Sequence, residues 1–524
     1  MSARPLRVVL IGYGPVGARL VEELLPAVDA GDIELTVVGA EKEDAYNRVL
    51  VAEYAVGAAG RERLEVTDTG GARATGADIR LGDVAVAIDR VRQRVVLDGG
   101  GELRYDRLVL ATGARANIPT LDGLQQTRRD RGAAPAAALD QGARPLPAGV
   151  VALRDLADAD AVAPVVAAGG TIVVLGAGVL GMEFALLAAE HGAQVVVVHH
   201  GPTPMARNLD EPGGRMLTRA ARTRGIRMAA HARAESIGFR DEESGRVFDG
   251  LGCADGTYFP GDLLVLSCGV GARVELAVAA GLACSAGILV DEELRSWSDP
   301  DVFAIGDCAQ LASPDDADAD GRVPGAPSGL IGPGWRQAGA LARRLRAEAA
   351  GGTGGADAAV ALRERATAVM LKATGIDVVS GGDNAAESWD EDAEVSVWLD
   401  PARCAYLKTV VRGGALAGFV SVGLPHAGAE LTLLFERGGA LPAEPSALLR
   451  LDAADAGAAP IEDPLGPDAT VCWCNGVTAG RIEEAVAGGC DTVECVGRET
   501  RAGTGCGGCK GRIASLLAAN PVAR

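Results

Sequence analysis

Apolar residues gather in short runs along the chain, each closed by glycine and followed by a helical repeat. Residues 6–11 (LRVVLI) form the first run, rich in β-branched side chains, and predict a buried strand. Gly12-Tyr13-Gly14-Pro15-Val16-Gly17 follows, then a helical pattern through Leu20, Leu24 and Leu25, then a second strand, IELTVVGAE, ending at Glu41. The same order recurs further on. TIVVLGAG runs into Gly176-Ala177-Gly178-Val179-Leu180-Gly181, then a helix (MEFALLAAEHG) with Gly192 as its C-cap, then the strand AQVVVVHH. Two more apolar runs, YDRLVLATG (105–113) and DVFAIGDCA (301–309), end in a tight turn and in the acid Asp307. VSVWLD and YLKTVVRGGALAGFVSVG read as antiparallel strands turning at Arg412-Gly413-Gly414. Residues 441–470, rich in Ala, Pro and Gly, read as a linker that spans on the order of 30 Å if flexible.

The repeated order of strand, glycine turn, helix and strand is the dinucleotide-binding fingerprint, and two copies imply two nucleotides. Gly12 permits the tight turn, Gly14 lets a pyrophosphate approach backbone N–H groups, and Gly17 lets the helix pack on the sheet. Glu41 can accept from ribose hydroxyls. In the second copy Gly176, Gly178 and Gly181 take these places, but His199-His200 stand where the acid is expected. Neutral imidazoles select neither NADH nor NADPH, and Arg207 is near enough in sequence to help with a phosphate.

Six of the eleven cysteines lie at or beyond Cys472. Cys472-Trp-Cys474 and Cys506-Gly-Gly-Cys509 offer four thiolates, the ligand set of a [2Fe–2S] cluster or a Cys₄ zinc site. Structural zinc sites usually open with C-x₂₋₄-C, so the C-x-C pair suits a cluster iron better; zinc, a disulfide or free thiols stay open. The segment between is helical, with Thr478 as its N-cap, and Cys490 and Cys495 are expected to be buried non-ligands.

Length and composition narrow the partners. At about 100–200 residues per domain, 524 residues allow three to five domains. A net charge of −20 argues against nucleic acid or an anionic membrane as partner, and aromatics at 3% argue against aromatic-lined platforms. The 72 glycines follow no Gly-X-Y period, so a collagen-like chain is excluded. No stretch of about 18 apolar residues predicts a membrane span, and the first residues run straight into a strand without a signal-peptide pattern. A cytoplasmic location is therefore expected, where thiols stay reduced or bind metal.

The order of fingerprint, ATG strand, second fingerprint and GD segment resembles the two-dinucleotide flavoprotein reductases. More closely, Ala45–Leu50 (AYNRVL), Gly329–Trp335 (GLIGPGW), Leu371–Val378 (LKATGIDV) and Ala502–Cys509 (AGTGCGGC) resemble the NAD(P)H-nitrite reductase large subunit. They also resemble the electron-transfer subunits of assimilatory nitrate reductases. The cysteine unit resembles the bacterioferritin-associated ferredoxins, which implies [2Fe–2S]. The implied class is α/β: two Rossmann-like domains with the NAD domain inserted in the FAD domain, a small α+β interface domain, and a small helical cluster domain. The expected divisions are 1–120 and 289–351 for FAD, 121–288 for NAD(P), 352–440 for the interface domain, 441–470 for the linker, and 471–524 for the cluster. Residues 125–145 look like an inserted low-complexity loop.

The resemblance implies FAD contacts at Gly12, Gly14, Pro15, Gly17, Glu41, Arg48, Thr112, Gly113 and Asp307. It implies NAD(P)H contacts at Gly176, Gly178, Leu180, Gly181, Glu183, His199 and Gly269, and cluster ligands Cys472, Cys474, Cys506 and Cys509. A helix after Pro333 would aim its N-terminus at the flavin. No cysteine pair follows the first fingerprint, so thiol exchange at the flavin is not expected. Cofactors carry the chemistry, so no side chain is singled out as an acid or base. The implied function is a relay from NAD(P)H through FAD and the cluster to a separate nitrate or nitrite reductase, in a chain that could be a homo-oligomer. No further cysteines remain for a sirohaem, so this polypeptide alone is not expected to reduce nitrite. Two alternatives remain: a ferredoxin-reductase component of an oxygenase, and a redox- or iron-responsive binding protein with a zinc or docking module.

Overall fold

A computed structural model describes residues 4–124, 146–243, 245–318, 322–351, 367–373, 375–442, 446–452, 467, 470–472, 477–504 and 509–519. The 125–145 stretch, most of the linker, Cys474 and Cys506 lie outside the described residues.

The run LRVVLI forms β1 (Leu6–Ile11), α1 spans Pro15–Asp29 and β2 spans Ile33–Gly39. Val8 and Leu10 of β1 are fully buried. They sit at the centre of an eight-stranded sheet in which strands 299–304, 107–110, β1, β2 and 78–81 are adjacent and parallel. Segments on both sides of the second fingerprint therefore share one sheet. The second fingerprint builds another: β3 (Thr171–Leu175), α2 (Val179–Glu190) and β4 (Gln194–Val198) belong to a five-stranded parallel sheet with 227–229, 263–266 and 150–151. A parallel sheet needs both faces covered, which is why its strands read as unbroken apolar runs.

A third sheet of five antiparallel strands follows, in the order 369–373, 376–382, 415–422, 405–412, 394–400. Its hairpin turns at Gly413-Gly414, whose φ angles of 57° and 79° are those of the two-residue turn that matches strand twist. The sheet packs on the second Rossmann unit through a buried polar knot. Lys408, 5% exposed, donates to Asn384 O at 2.9 Å and pairs with Asp210 at 3.4 Å. Asp210 also accepts from the Tyr406 hydroxyl and caps the helix Glu211–Thr223 at Gly213 N, 3.2 Å away. Lys408→Met leaves the Asp210 carboxylate buried without its cation. We expect a loss of about 3 kcal/mol, read as a lower urea midpoint; an unchanged midpoint contradicts this account.

The C-terminal unit holds α3 (Ala479–Ala487), α4 (Val493–Thr500) and α5 (Lys510–Ala519) around a core containing Ile482, Val486, Val496 and Ile513. Thr478 caps α3, its hydroxyl accepting from Arg481 N at 3.3 Å. One expectation is corrected. Cys490 and Cys495, read as separate buried non-ligands, form a disulfide, with Cα atoms 5.3 Å apart, and only Cys490 is buried. The tight corner between α3 and α4 causes this. Thr492 caps α4 by accepting from Cys495 N at 3.1 Å, which folds Cys495 back over Cys490.

Candidate functional site

The two glycine turns are built alike. Gly12 has φ 108° and Gly176 φ 113°, which side chains rarely adopt. A Cβ at Gly12 would overlap the Ala111 carbonyl, and one at Gly176 would overlap that of Ser267. Gly17 and Gly181 lie equally close to the carbonyls of Gly12 and Gly176. The middle glycines differ from these. A Cβ at Gly14 would come no nearer than 3.9 Å to its closest neighbour, Arg48 Nε, and one at Gly178 would meet no described atom within 4 Å. The first and third glycines thus close the turn, and the second leaves its backbone open to a bound group. These cradles fit a pyrophosphate in each unit.

A cleft of about 1780 Å³ runs between the units. Gly12, Gly14, Pro15, Gly17, Glu41, Arg48, Thr112, Gly113 and Asp307 line it, together with Leu180, Glu183 and Gly269 from the second unit. Gly176, Gly178, Gly181 and His199 do not line it. The helix Ile331–Ala349 starts two residues earlier than its Pro333 suggested. Its first turn, including Gly332 and Pro333, faces the cleft. Trp335 anchors that turn, its indole N–H donating to Pro15 O at 3.1 Å. Gly334 lets the helix approach Val16 closely.

Several charges around the cleft are paired. Arg48 is bonded to Glu41 and sits 4.9 Å over the Tyr46 ring, whose hydroxyl donates to Glu41 Oε2 at 2.9 Å. Burial pushes the Tyr46 phenol well up, so it stays a donor. Burial opposes the Arg48 charge, but Glu41 and Tyr46 outweigh it and hold the guanidinium protonated. Asp307 is paired with Arg154 at 3.1 Å. Thr112 donates its hydroxyl to Arg273 O at 2.8 Å, and burial and then Arg48 lower the Arg273 pKa. His199 is buried, and burial, then His200 and His231, lower its pKa, so it stays neutral. Arg207, offered above for a nucleotide phosphate, lines the main cleft beside Asn208.

Sequence reading missed Arg154 and Arg273. Arg154 had a signal: Asp155 and Asp158 form a reciprocal capping box at the start of the helix Leu156–Ala167. The box places Arg154 at a helix entry, with its own N–H held by Asp158 Oδ2 at 2.7 Å. Arg273 had no local signal.

In the C-terminal unit Cys472 and Cys509 are both buried in the small core. Among the described residues no three His, Cys, Asp or Glu side chains form a metal site, the other two motif thiols lying outside them. Two buried thiols in one small core fit a thiolate-held cluster.

Residues 6–327 match the family described as pyridine nucleotide-disulphide oxidoreductase. The chain belongs to that family. Residues 470–519 match the BFD-like [2Fe-2S] binding domain. The chain is 30% identical over 518 residues to the nitrite reductase (NADH) large subunit of Escherichia coli (strain K12), covering 98% of this chain and 55% of that one. It is 27% identical over 518 residues to the assimilatory nitrate reductase electron transfer subunit of Bacillus subtilis (strain 168), covering 98% and 59%. The chain thus spans little more than half the length of these curated relatives. The putidaredoxin reductase–putidaredoxin complex shares the fold, with a TM-score of 0.65 at 24% identity over 84% of this chain and 95% of that one. This family member is an NAD(P)H-dependent flavoprotein oxidoreductase whose cofactors are FAD, NAD(P)H and a [2Fe–2S] cluster. Despite the family's name, no cysteine lines the cleft among the described residues. Among those residues no helix is long and apolar enough to cross a membrane.

Proposed function

We propose that this pyridine nucleotide-disulphide oxidoreductase draws electrons from NAD(P)H and delivers them to a separate nitrate or nitrite reductase. The observation that carries this is one shared cleft, lined by the first glycine turn, by Leu180 and Glu183 beside the second, and by the start of the helix Ile331–Ala349. When bound, FAD takes a hydride from NAD(P)H and a [2Fe–2S] cluster takes electrons one at a time. The chain holds these groups in place. Gly12, Gly14 and Gly17 cradle the FAD pyrophosphate, and Glu41, fixed by Arg48 and Tyr46, meets its ribose. Asp307, held by Arg154, and Thr112 flank the rest of the flavin nucleotide. Gly176, Gly178 and Gly181 receive the nicotinamide nucleotide, and Leu180 and Glu183 bound its reactive end. Cys472, Cys474, Cys506 and Cys509 hold the iron. The relatives' names supply the acceptor class, and the external reductase is the partner.

Anaerobic NADH added to the purified protein should bleach flavin and cluster bands together. Nitrate- or nitrite-reductase activity should appear when the cognate terminal reductase is added. A colourless zinc-loaded protein, or a flavin that reduces while the cluster never does, sinks the reading. Arg154→Met removes the cation that orients Asp307. We expect FAD to bind about tenfold more weakly, the lower end of a lost charged hydrogen bond, measured by FAD release on dilution. Unchanged retention contradicts the assignment.

A further inference from the structure

Among the described residues, an ion pair and a hydrogen bond join the cysteine-bearing unit to the flavin unit. Arg501 Nη1 lies 2.6 Å from Glu22 Oε2, and Asn47 Nδ2 donates to Thr504 O at 3.4 Å. Both groups on the flavin side, Glu22 and Asn47, are set into that unit. Glu22 stands on α1, directly after the first glycine turn, with 21% of its side chain exposed. Burial pushes its carboxyl up to about 7, with Arg19 opposing the rise and Glu23 adding to it. A carboxylate so desolvated gains most from an added cation, and Arg501 brings one. Asn47 is 1% exposed, and its Oδ1 accepts from Val49 N at 3.1 Å. It immediately precedes Arg48 on the cleft wall.

The presenting groups are placed with similar care. Arg501 closes α4 in a left-handed conformation, φ 66°, which disfavours a side chain by about 1–2 kcal/mol. Thr504 stands two positions before Cys506 in sequence and five before the buried Cys509. A residue beside the cleft wall therefore touches the approach to the cysteine loop.

We infer that the face carrying Arg501 and Thr504 is the docking surface of the cluster unit on its own flavin unit, and that this arrangement passes electrons from flavin to cluster. The inference rests on the relay proposed above and assigns it a surface. Each passage takes one electron from the two-electron-reduced flavin to one ferric ion of the cluster. The flavin's proton goes to water. The second passage follows once the cluster has given its electron to the external acceptor. Arg501 and Glu22 are positioning residues and touch neither cofactor.

The test is stopped-flow mixing of the full holoprotein with NADH without oxygen, reading flavin and cluster bands separately. Arg501→Glu should leave flavin reduction at its native rate and slow cluster reduction by about tenfold, as like charges replace an ion pair. Glu22→Arg should do the same. Combining the two restores the attraction in reverse and should return cluster reduction to near the native rate, which also controls for misfolding. Native cluster reduction in Arg501→Glu, or a double variant no faster than the single ones, overturns the docking surface. A native protein whose cluster never bleaches overturns the relay itself, and the surface with it.

Discussion

Gly176→Ala should keep FAD bound and severely impair reduction by NAD(P)H. The φ of 113° lies where a side chain costs about 1–3 kcal/mol, and the new methyl would overlap the Ser267 carbonyl. The Ser267 carbonyl ends the neighbouring strand 263–266 and cannot yield without breaking the sheet, so the turn must move instead. Its displacement carries the start of α2 and the open backbone at Gly178 away from the pyrophosphate. We expect kcat/KM for NADH to fall by about a hundredfold or more, equivalent to about 2.7 kcal/mol of binding energy. The first turn is untouched, so the protein should still purify yellow, and dithionite should still reduce flavin and cluster. Reduction by NADH at the native rate would show that the second turn does not hold the nucleotide. The equivalent change at Gly12 should instead cost the flavin.

The second large effect concerns iron. Cys472 is fully buried at the end of a short strand, Thr470–Cys472, paired with Val477–Thr478. Cys472→Ser exchanges a soft thiolate for a hydroxyl that iron binds poorly. We expect loss of the cluster's visible bands and of bound iron, while NADH still bleaches the flavin. A unit this small builds only a modest core, and metal binding is worth about 10 kcal/mol of folding free energy in comparable zinc modules. Iron loss should therefore also expose the C-terminal unit to proteolysis. Full iron content in the variant would remove Cys472 from the ligand set. Zinc in place of iron in the native protein would remove the cluster from the relay.

Much of this was readable because it is local. The two fingerprints rest on glycines whose demands are set by atoms a few positions away, apart from one strand-end carbonyl in each case. The hairpin at Gly413-Gly414 and the cap at Thr478 are likewise decided within a few residues. The resemblance to the two-dinucleotide reductases also implied that the second Rossmann unit interrupts the first, and strands 107–110 and 299–304 do pair.

The pairings were not readable. Arg154 meets Asp307, Lys408 meets Asp210, and Arg501 meets Glu22, each across a long stretch of chain. With 50 basic and 70 acidic side chains, spacing alone selects no partner among them. The Cys490–Cys495 disulfide escaped notice for a related reason: its geometry depends on how sharply α3 turns into α4. The sequence by itself determined two glycine turns, four cysteines in the pairs C-x-C and C-x-x-C, and the family, because glycine φ angles and thiol chemistry are properties of the residues. Only the tertiary structure decided which charges hold the site and which face of the cluster unit meets the flavin unit. Those depend on sheet order and domain packing, which bring distant residues within a few ångströms of each other.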